Sequence, residues 1–275
     1  MNILALETSG IAIGVAALRC DADGAIEPLA VLGLEESRQL SRQIIAALEA
    51  TLQHAGWTLD EVDALAVGLG PGSWTSLRIG LTTCKTLAQV RGWQLAGVPT
   101  FDAMAQAVWR QAGREQDNSE ATAIEADGAE TQDGTGLPEH FLLLATAPSR
   151  PGEVYGKIYE CQEDYLSLVQ SEWLGSPELM ADTLQTEALA RDTDSPLVLV
   201  GLGAAAISEI LAARNEMHFE VSLAVEHIVV EVAIAGASAL MSGEAADPLE
   251  LQPLYLAPSA AERNLLGAGS SPKGR

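Results

Sequence analysis

Positive charge is what this chain has least of. Its 275 residues carry 15 Lys and Arg against 38 Asp and Glu, a formal net charge of −23 at pH 7. Nucleic-acid surfaces draw much of their affinity from phosphates neutralised by Lys and Arg, so a face that binds nucleic acid unaided is excluded, and any link to nucleic acid must run through a partner. Cysteine is scarce as well. Cys20, Cys84 and Cys161 are widely spaced with no Cys-x-x-Cys pair, which excludes a disulfide framework and a zinc ribbon and fits a reducing cytoplasm. No uncharged apolar run approaches the ~18 residues a membrane span needs, and the opening MNILALE has neither a basic leader nor a cleavable apolar core, so a soluble, unanchored protein is expected. His54, His140, His218 and His227 stand alone, none with a second histidine four residues away, so the two-imidazole pair that one helical turn can aim at a metal is missing.

What is present is a globular composition, 48% hydrophobic and 19% charged, at a length that suits two lobes of ordinary size. The most informative stretch is Ala64 to Gly80, ALAVGLGPGSWTSLRIG, in which an apolar run reaches a Gly-Pro-Gly turn and opens directly into a helical pattern. Gly70 and Gly72 permit positive φ and close backbone approach, and Ser73 or Thr75 can cap the helix. Such a helix start aims free N–H groups and a positive dipole end at the turn, where phosphate is the ligand that suits them best. A well-made turn with no ligand is the competing reading, because the spacing is neither the P-loop nor the dinucleotide fingerprint.

Ile3 to Leu6 and Ile11 to Leu18 flank Glu7-Thr8-Ser9-Gly10 as a hairpin with a polar tip, and Phe141 to Ala147 and Val154 to Glu160 flank a second tip at 148–153. Helical spacing runs from about Leu34 to His54 through Leu40, Ile44, Ile45, Leu48 and Leu52, and again from Thr75 to about Val90. The second of these helices carries two apolar stripes, Leu77-Leu81-Cys84-Ala88 and Ile79-Thr83-Leu87-Val90, so it wants two partners. A further helix is expected over Phe101 to Arg110. Residues 113–136 are acidic with almost nothing to bury, which predicts a solvated or disordered insertion. Further on, Leu197 to Val200 reads as a strand, Ala204 to Ala213 and Val229 to Met241 as helices, and Leu249 to Leu256 as a terminal strand or extended arm before a flexible tail.

Two lobes that each open with a hairpin and continue in strand–turn–helix units suggest the duplicated α/β, ribonuclease-H-like layout of the actin, Hsp70 and sugar-kinase ATPase class. The ordered set NILALETS at 2–9, GPGSWTSLRIG at 70–80, GVPT at 97–100, GEVY at 152–155 and PLYL at 253–256 resembles TsaB-type proteins, companion subunits in the bacterial synthesis of threonylcarbamoyladenosine on tRNA. The chain departs from that pattern where Glu7 replaces a frequent Asp, where Pro148-Ser149-Arg150 replaces Asp-Ala-Arg, and where Ala257 replaces an Arg. The lost carboxylate counts against a phosphate-bound Mg²⁺ held by this chain alone.

The resemblance implies an N-terminal lobe over 1–100, a C-terminal lobe over 101–258 containing the insertion, and a tail over 259–275. It implies a non-catalytic subunit that supports a TsaD-type carbamoyl transferase, with a TsaE-type ATPase in the larger assembly and a homodimer when alone. Any ATP, ADP or metal would come from the partner or sit at the shared interface, and tRNA would be reached only through the complex. Two other readings stay open, an independent ATPase or small-molecule kinase of this fold and a carbamoyl transferase with an unrecognised metal site. Candidate phosphate-facing residues are Glu7, Thr8, Ser9, Gly70, Gly72, Ser73 and Thr75. A candidate association surface comprises Leu40, Ile44 and Leu48 of the first helix with Leu77, Arg78, Leu81, Cys84 and Lys85 of the second. Ser9, Ser73 and Thr75 lack a His–Asp constellation that would make them nucleophiles, and turn and cap roles suffice for them.

Overall fold

Each half of the chain begins with apolar runs suited to a hairpin, and each builds the same sheet. The computed structural model describes residues 1–10, 13–21, 24–34, 39–116, 140–191, 196–214, 219–222 and 228–256, with backbone alone at 113–116 and 219–222. The first half forms β1 (Asn2–Glu7), β2 (Ile13–Cys20), β3 (Ile26–Leu34), α1 (Leu40–His54), β4 (Ala64–Gly68), α2 (Trp74–Arg91) and β5 (Gln94–Val98). The second forms α3 (Thr100–Gln116), β6 (Phe141–Pro148), β7 (Val154–Cys161), β8 (Leu166–Gly175), α4 (Pro177–Ala190), β9 (Leu197–Val200), α5 (Ala204–Arg214), β10 (Phe219–Ser222) and α6 (Ile228–Met241).

Hairpins make the first three strands of each half antiparallel, and helical crossovers make the last two parallel to the first. The orders are β3-β2-β1-β4-β5 and β8-β7-β6-β9-β10, one arrangement used twice, which is the duplicated ribonuclease-H-like layout. The central strands are covered on both faces, and so they read as unbroken apolar runs. In β1, Leu4 and Leu6 join Ile44, Leu48 and Leu81 beneath α1 and α2, while Ile3 and Ala5 face the opposite layer. In β6, Leu142 and Leu144 face Met180, Leu184 and Ile207 of α4 and α5, while Phe141, Leu143 and Ala145 face the same central layer that Ile3 enters.

That central layer consists of α3 and α6, and it departs from chain order. α3 packs on β6, β7 and β8, whereas α6, which follows the second sheet, crosses back onto β1, β2, β4 and β5 and packs against α3. Residues 228–256, placed with the second lobe by sequence, therefore lie on the first. The apolar character of α6 follows from having two partners: Val229, Val232, Ala233 and Ala237 are all buried. A Cβ built on Gly236 would stand 2.4 Å from the Cβ of Ala66 in β4, so only glycine lets the helix come this close to the sheet. Across the layer, Arg110 Nε of α3 donates to Glu231 Oε2 of α6 at 3.1 Å. Lys157 of β7, 6% exposed, ties α3 to the second sheet through Asp102 Oδ1 at 2.5 Å and Glu172 Oε1 at 2.7 Å.

Four strands and a helix escape the sequence reading. β3 and β8 are edge strands with partly exposed faces, β3 broken by Glu27-Pro28, and their hydrophobic signal is diluted accordingly. β5 and β10 are short and lie at the opposite sheet edges. α4 is signalled by Ser176-Pro177-Glu178, where Ser176 Oγ accepts from Leu179 N–H at 3.3 Å. α3 extends to Gln116, four residues into the stretch expected to be an insertion from residue 113, and residues 117–136 of that stretch lie outside the described residues. So do His218, His227 and residues 257–275. Residues 251–256 are an extended arm with no strand assignment, the second of the two alternatives. Gly236→Leu should lower stability by about 3 kcal/mol through overpacking against Ala66. A thermal melt within a degree or two of wild type would show that α6 can lift off the sheet at little cost.

Candidate functional site

The polar tip of the first hairpin and the glycine turn do meet, as their residue types suggest, but they meet each other. Glu7 ends β1 wholly buried, with Thr8 and Ser9 buried beside it. Its Oε1 accepts from Ser9 N–H at 2.5 Å and its Oε2 from the Thr100 hydroxyl at 2.9 Å, while Thr100 Oγ1 accepts from Gly70 N–H at 3.1 Å. Thr100 N–H returns to Gly70 O at 2.9 Å. One carboxyl thus joins the end of β1, the hairpin tip, the glycine turn and the first residue of α3. Burial pushes the Glu7 carboxyl above the usual carboxylate range, and hydrogen bonds from Ser9, Thr100 and the Thr8 backbone oppose that shift.

The start of α2 offers its first donor to the protein itself: Ser73 N–H is bonded to Ser9 O at 2.6 Å. A Cβ on Gly72 would lie 2.2 Å from Ser9 O, and one on Gly80 would lie 2.2 Å from Thr8 Oγ1. Gly70 has φ +87°, the left-handed conformation that glycine adopts without strain. Ser73 is the N-cap residue but makes no side-chain cap; its hydroxyl pairs with Ser76 Oγ at 3.0 Å, and Thr75 is exposed on the outer face of the helix. Glu7, Thr8, Ser9, Gly70 and Gly72 thus pack against one another as one junction at the start of α2. At the second tip Arg150 pairs with Glu153, its Nε donating to Oε2 at 2.6 Å, within a turn closed by Glu153 N–H on Arg150 O at 2.8 Å. Among the described residues no three His, Cys, Asp or Glu side chains converge as a metal site would need. His54 is exposed and His140 pairs with Glu160 at 3.0 Å.

The open feature lies on the other side of α2. Of the residues proposed for association, Leu40, Ile44, Leu48, Leu77, Leu81 and Cys84 are all at most 5% exposed and belong to the core. This corrects the choice between the two stripes of α2: the Leu77-Leu81-Cys84-Ala88 stripe faces the sheet, and burial pushes the Cys84 thiol up to about 12. The Ile79-Thr83-Leu87 stripe faces outward and, with Ser41, Ile44 and Ile45 of α1, lines a groove of about 630 Å³. Thr83 and Thr86 turn their hydroxyls back to Ile79 O and Thr82 O, each at 2.8 Å, so the groove receives methyl groups. Ile45 is 49% exposed at its edge.

Lys85 faces away from the groove. Its Nζ donates to Leu251 O at 2.9 Å and to Leu249 O at 3.4 Å, holding the C-terminal arm, which is also pinned by Ala246 N–H on Leu95 O at 2.8 Å and Leu254 N–H on Leu69 O at 2.9 Å. Arg78 stays exposed at the groove, over the Trp74 ring and beside Tyr255 of the arm. Thr100, Trp74 and Tyr255 were not singled out by residue chemistry, although all three sit within the stretches that carry the family resemblance. The signal was there; the contacts joining those distant stretches were not.

A family model described as TsaD, tRNA N6-adenosine threonylcarbamoyltransferase, matches residues 34–264. The tRNA threonylcarbamoyladenosine biosynthesis protein TsaB of Escherichia coli (strain K12) is 30% identical over 186 residues, 67% of this chain and 67% of its own length. The protein of the same name from Haemophilus influenzae is 27% identical over 256 residues, 93% of each chain. Among solved structures, an uncharacterized protein from Pseudomonas aeruginosa with similarity to peptidase YeaZ superposes with a TM-score of 0.66 at 24% identity, over 93% of this chain and 99% of that one.

A raised carboxyl binds its proton more tightly in the folded chain than in the unfolded one, so its share of stability is full at low pH and is lost as pH rises through the raised value. Glu7→Gln removes that equilibrium. Urea midpoints of the wild type should therefore fall relative to those of Glu7→Gln from acidic to neutral pH, and parallel profiles would show that the carboxyl ionises as freely when folded as when unfolded.

Proposed function

Because this chain belongs to the TsaB-type family of tRNA threonylcarbamoyladenosine biosynthesis proteins, we propose that it serves that synthesis as a non-catalytic subunit, binding and supporting the TsaD-type carbamoyl transferase through the α1/α2 groove. The observation that carries the reading is the outward stripe of α2: Ile79, Thr83 and Leu87 form an apolar channel with Ile45, while the sheet is already covered by the opposite stripe. Burying large side chains of this kind gains roughly 1.5–3 kcal/mol each, which is what a helical partner supplies. A second copy of the chain occupies the same face when the catalytic subunit is absent.

The non-catalytic part of the reading is supported by the junction at Glu7, whose carboxyl is engaged by Ser9 and Thr100 and whose neighbour Ser9 O takes the Ser73 N–H at the start of α2. ATP, ADP and metal come in this reading from the partner or the shared interface, a TsaE-type ATPase joins the larger assembly, and tRNA is met through the complex. In this reading the protein works beside tRNA, in the cytoplasm. Among the described residues no helix is long and apolar enough to cross a membrane.

Ile79→Glu combined with Leu87→Glu should weaken binding to the purified TsaD-type subunit about 100-fold, an estimate from losing two large apolar contacts at 1.4 kcal/mol per factor of ten, with circular dichroism unchanged. Leu81→Glu should instead unfold the lobe, because it puts a charge in the core. A folded double variant that binds normally would place the interface elsewhere. The chain alone should neither hydrolyse ATP nor modify tRNA; steady hydrolysis lost on mutating Glu7 would favour an independent ATPase.

A further inference from the structure

Among the described residues lining the α1/α2 groove Arg78 is the single charged side chain, and it is held in place before any partner arrives. Its Cζ lies 4.2 Å from the centroid of the Trp74 ring, and its Nε donates to the Tyr255 hydroxyl at 3.0 Å. The Trp74 and Tyr255 rings stack with centroids 3.9 Å apart and planes at 29°. Tyr255 is carried by an arm fixed to the body through Lys85, Leu95 and Leu69, so its position is set by the fold and not by Arg78. With Nε engaged, the two terminal nitrogens of Arg78 have no carboxylate among the described residues. A guanidinium laid on a ring face with its terminal fork open is the arrangement that receives a carboxylate bidentately.

Charge around the groove points the same way. In a chain of net charge −23, Arg78 is the cation that α2 presents to the groove, since Lys85 is turned onto the C-terminal arm and Arg91 pairs with Asp60. A single carboxylate on the polar edge of a partner helix meets that guanidinium with opposite charge, in a groove whose other described lining side chains are neutral.

We propose that the groove takes an amphipathic helix of a partner protein that sets a carboxylate on Arg78, and that Tyr255 on the C-terminal arm is the positioning residue that presets Arg78 for it. The proposal rests on the groove being the association surface. Tyr255 does not touch the partner carboxylate; it restrains the guanidinium that does, so the C-terminal arm contributes to recognition by a residue 177 positions earlier. A stacked aromatic pair beside an arginine also suits an RNA base and its phosphate, but the strong negative charge of the chain opposes approach to RNA.

The test measures the affinity of the full chain for the purified TsaD-type subunit at low and high salt, with melting temperature as the folding control. Arg78→Ala should weaken binding about tenfold at low salt and flatten its salt dependence. Tyr255→Ala should do the same, and Tyr255→Phe, which keeps the stack and loses the hydrogen bond, should fall between it and wild type. The Arg78→Ala/Tyr255→Ala pair should bind no more weakly than Arg78→Ala alone, since both act through one contact. Wild-type affinity and salt slope in the single variants, or losses that add in the pair, would overturn the proposal. So would binding of tRNA by the chain alone that Arg78→Ala abolishes, because the guanidinium would then serve phosphate. The Ile79→Glu/Leu87→Glu variant separates the failures: if it binds normally the groove reading itself fails, and if it loses binding while the Arg78 and Tyr255 variants do not, only the present inference fails.

Discussion

A carboxyl group removed from water has to be surrounded by donors, and the donors of Glu7 come from parts of the chain that would otherwise be free to separate. Ser9 belongs to the hairpin tip and Thr100 to the first turn of α3, and Thr100 in turn holds the Gly70 N–H. Satisfying one buried acid therefore draws the hairpin tip onto the start of α2 and sets the point where the chain leaves the first sheet for the second lobe. The absence of side chains at Gly72 and Gly80 lets this happen, since a methyl group at either position would collide with Ser9 or Thr8.

The same helix that closes this junction opens the groove. α2 has its inner stripe on the sheet, its N-terminal donor on Ser9 and its outer stripe in solvent, so its two-sided apolar pattern has an external consequence. A helix with one stripe would have satisfied the sheet alone. The outer stripe, with threonine hydroxyls turned inward on the helix backbone and a single guanidinium at the rim, is a surface suited to another helix more than to a small polar ligand.

The exchange of helices between the halves extends this dependence to the end of the chain. α6 covers the first sheet after the second has been completed, and the arm that follows it reaches Lys85, Leu69 and finally Trp74. The groove is lined by α1 and α2 of the first half, and the arm reaches it through Tyr255, which stacks on Trp74 and binds Arg78.

Much of the architecture was legible in the residues because local pattern governs it. The hairpins, the strand into the glycine turn, α1, α2 and the closing helix all show in periodicity and turn chemistry, and the ordered motifs carry the family resemblance across the chain. Edge strands such as β3 escaped because half-exposed faces dilute the signal, and the return of α6 to the first sheet escaped because a helix apolar all round does not say which sheet it will cover. By itself the sequence determined that α2 carries two apolar stripes and that Glu7 sits at a polar tip between strands. Only the tertiary structure decided that the Leu77-Leu81-Cys84 stripe turns inward, that Thr100 reaches the Glu7 carboxyl, and that Tyr255 reaches Arg78. The reason is physical: which of two apolar stripes faces the sheet, and which distant donor reaches a buried acid, depend on contacts between segments far apart in the chain, and such contacts leave no period in the sequence.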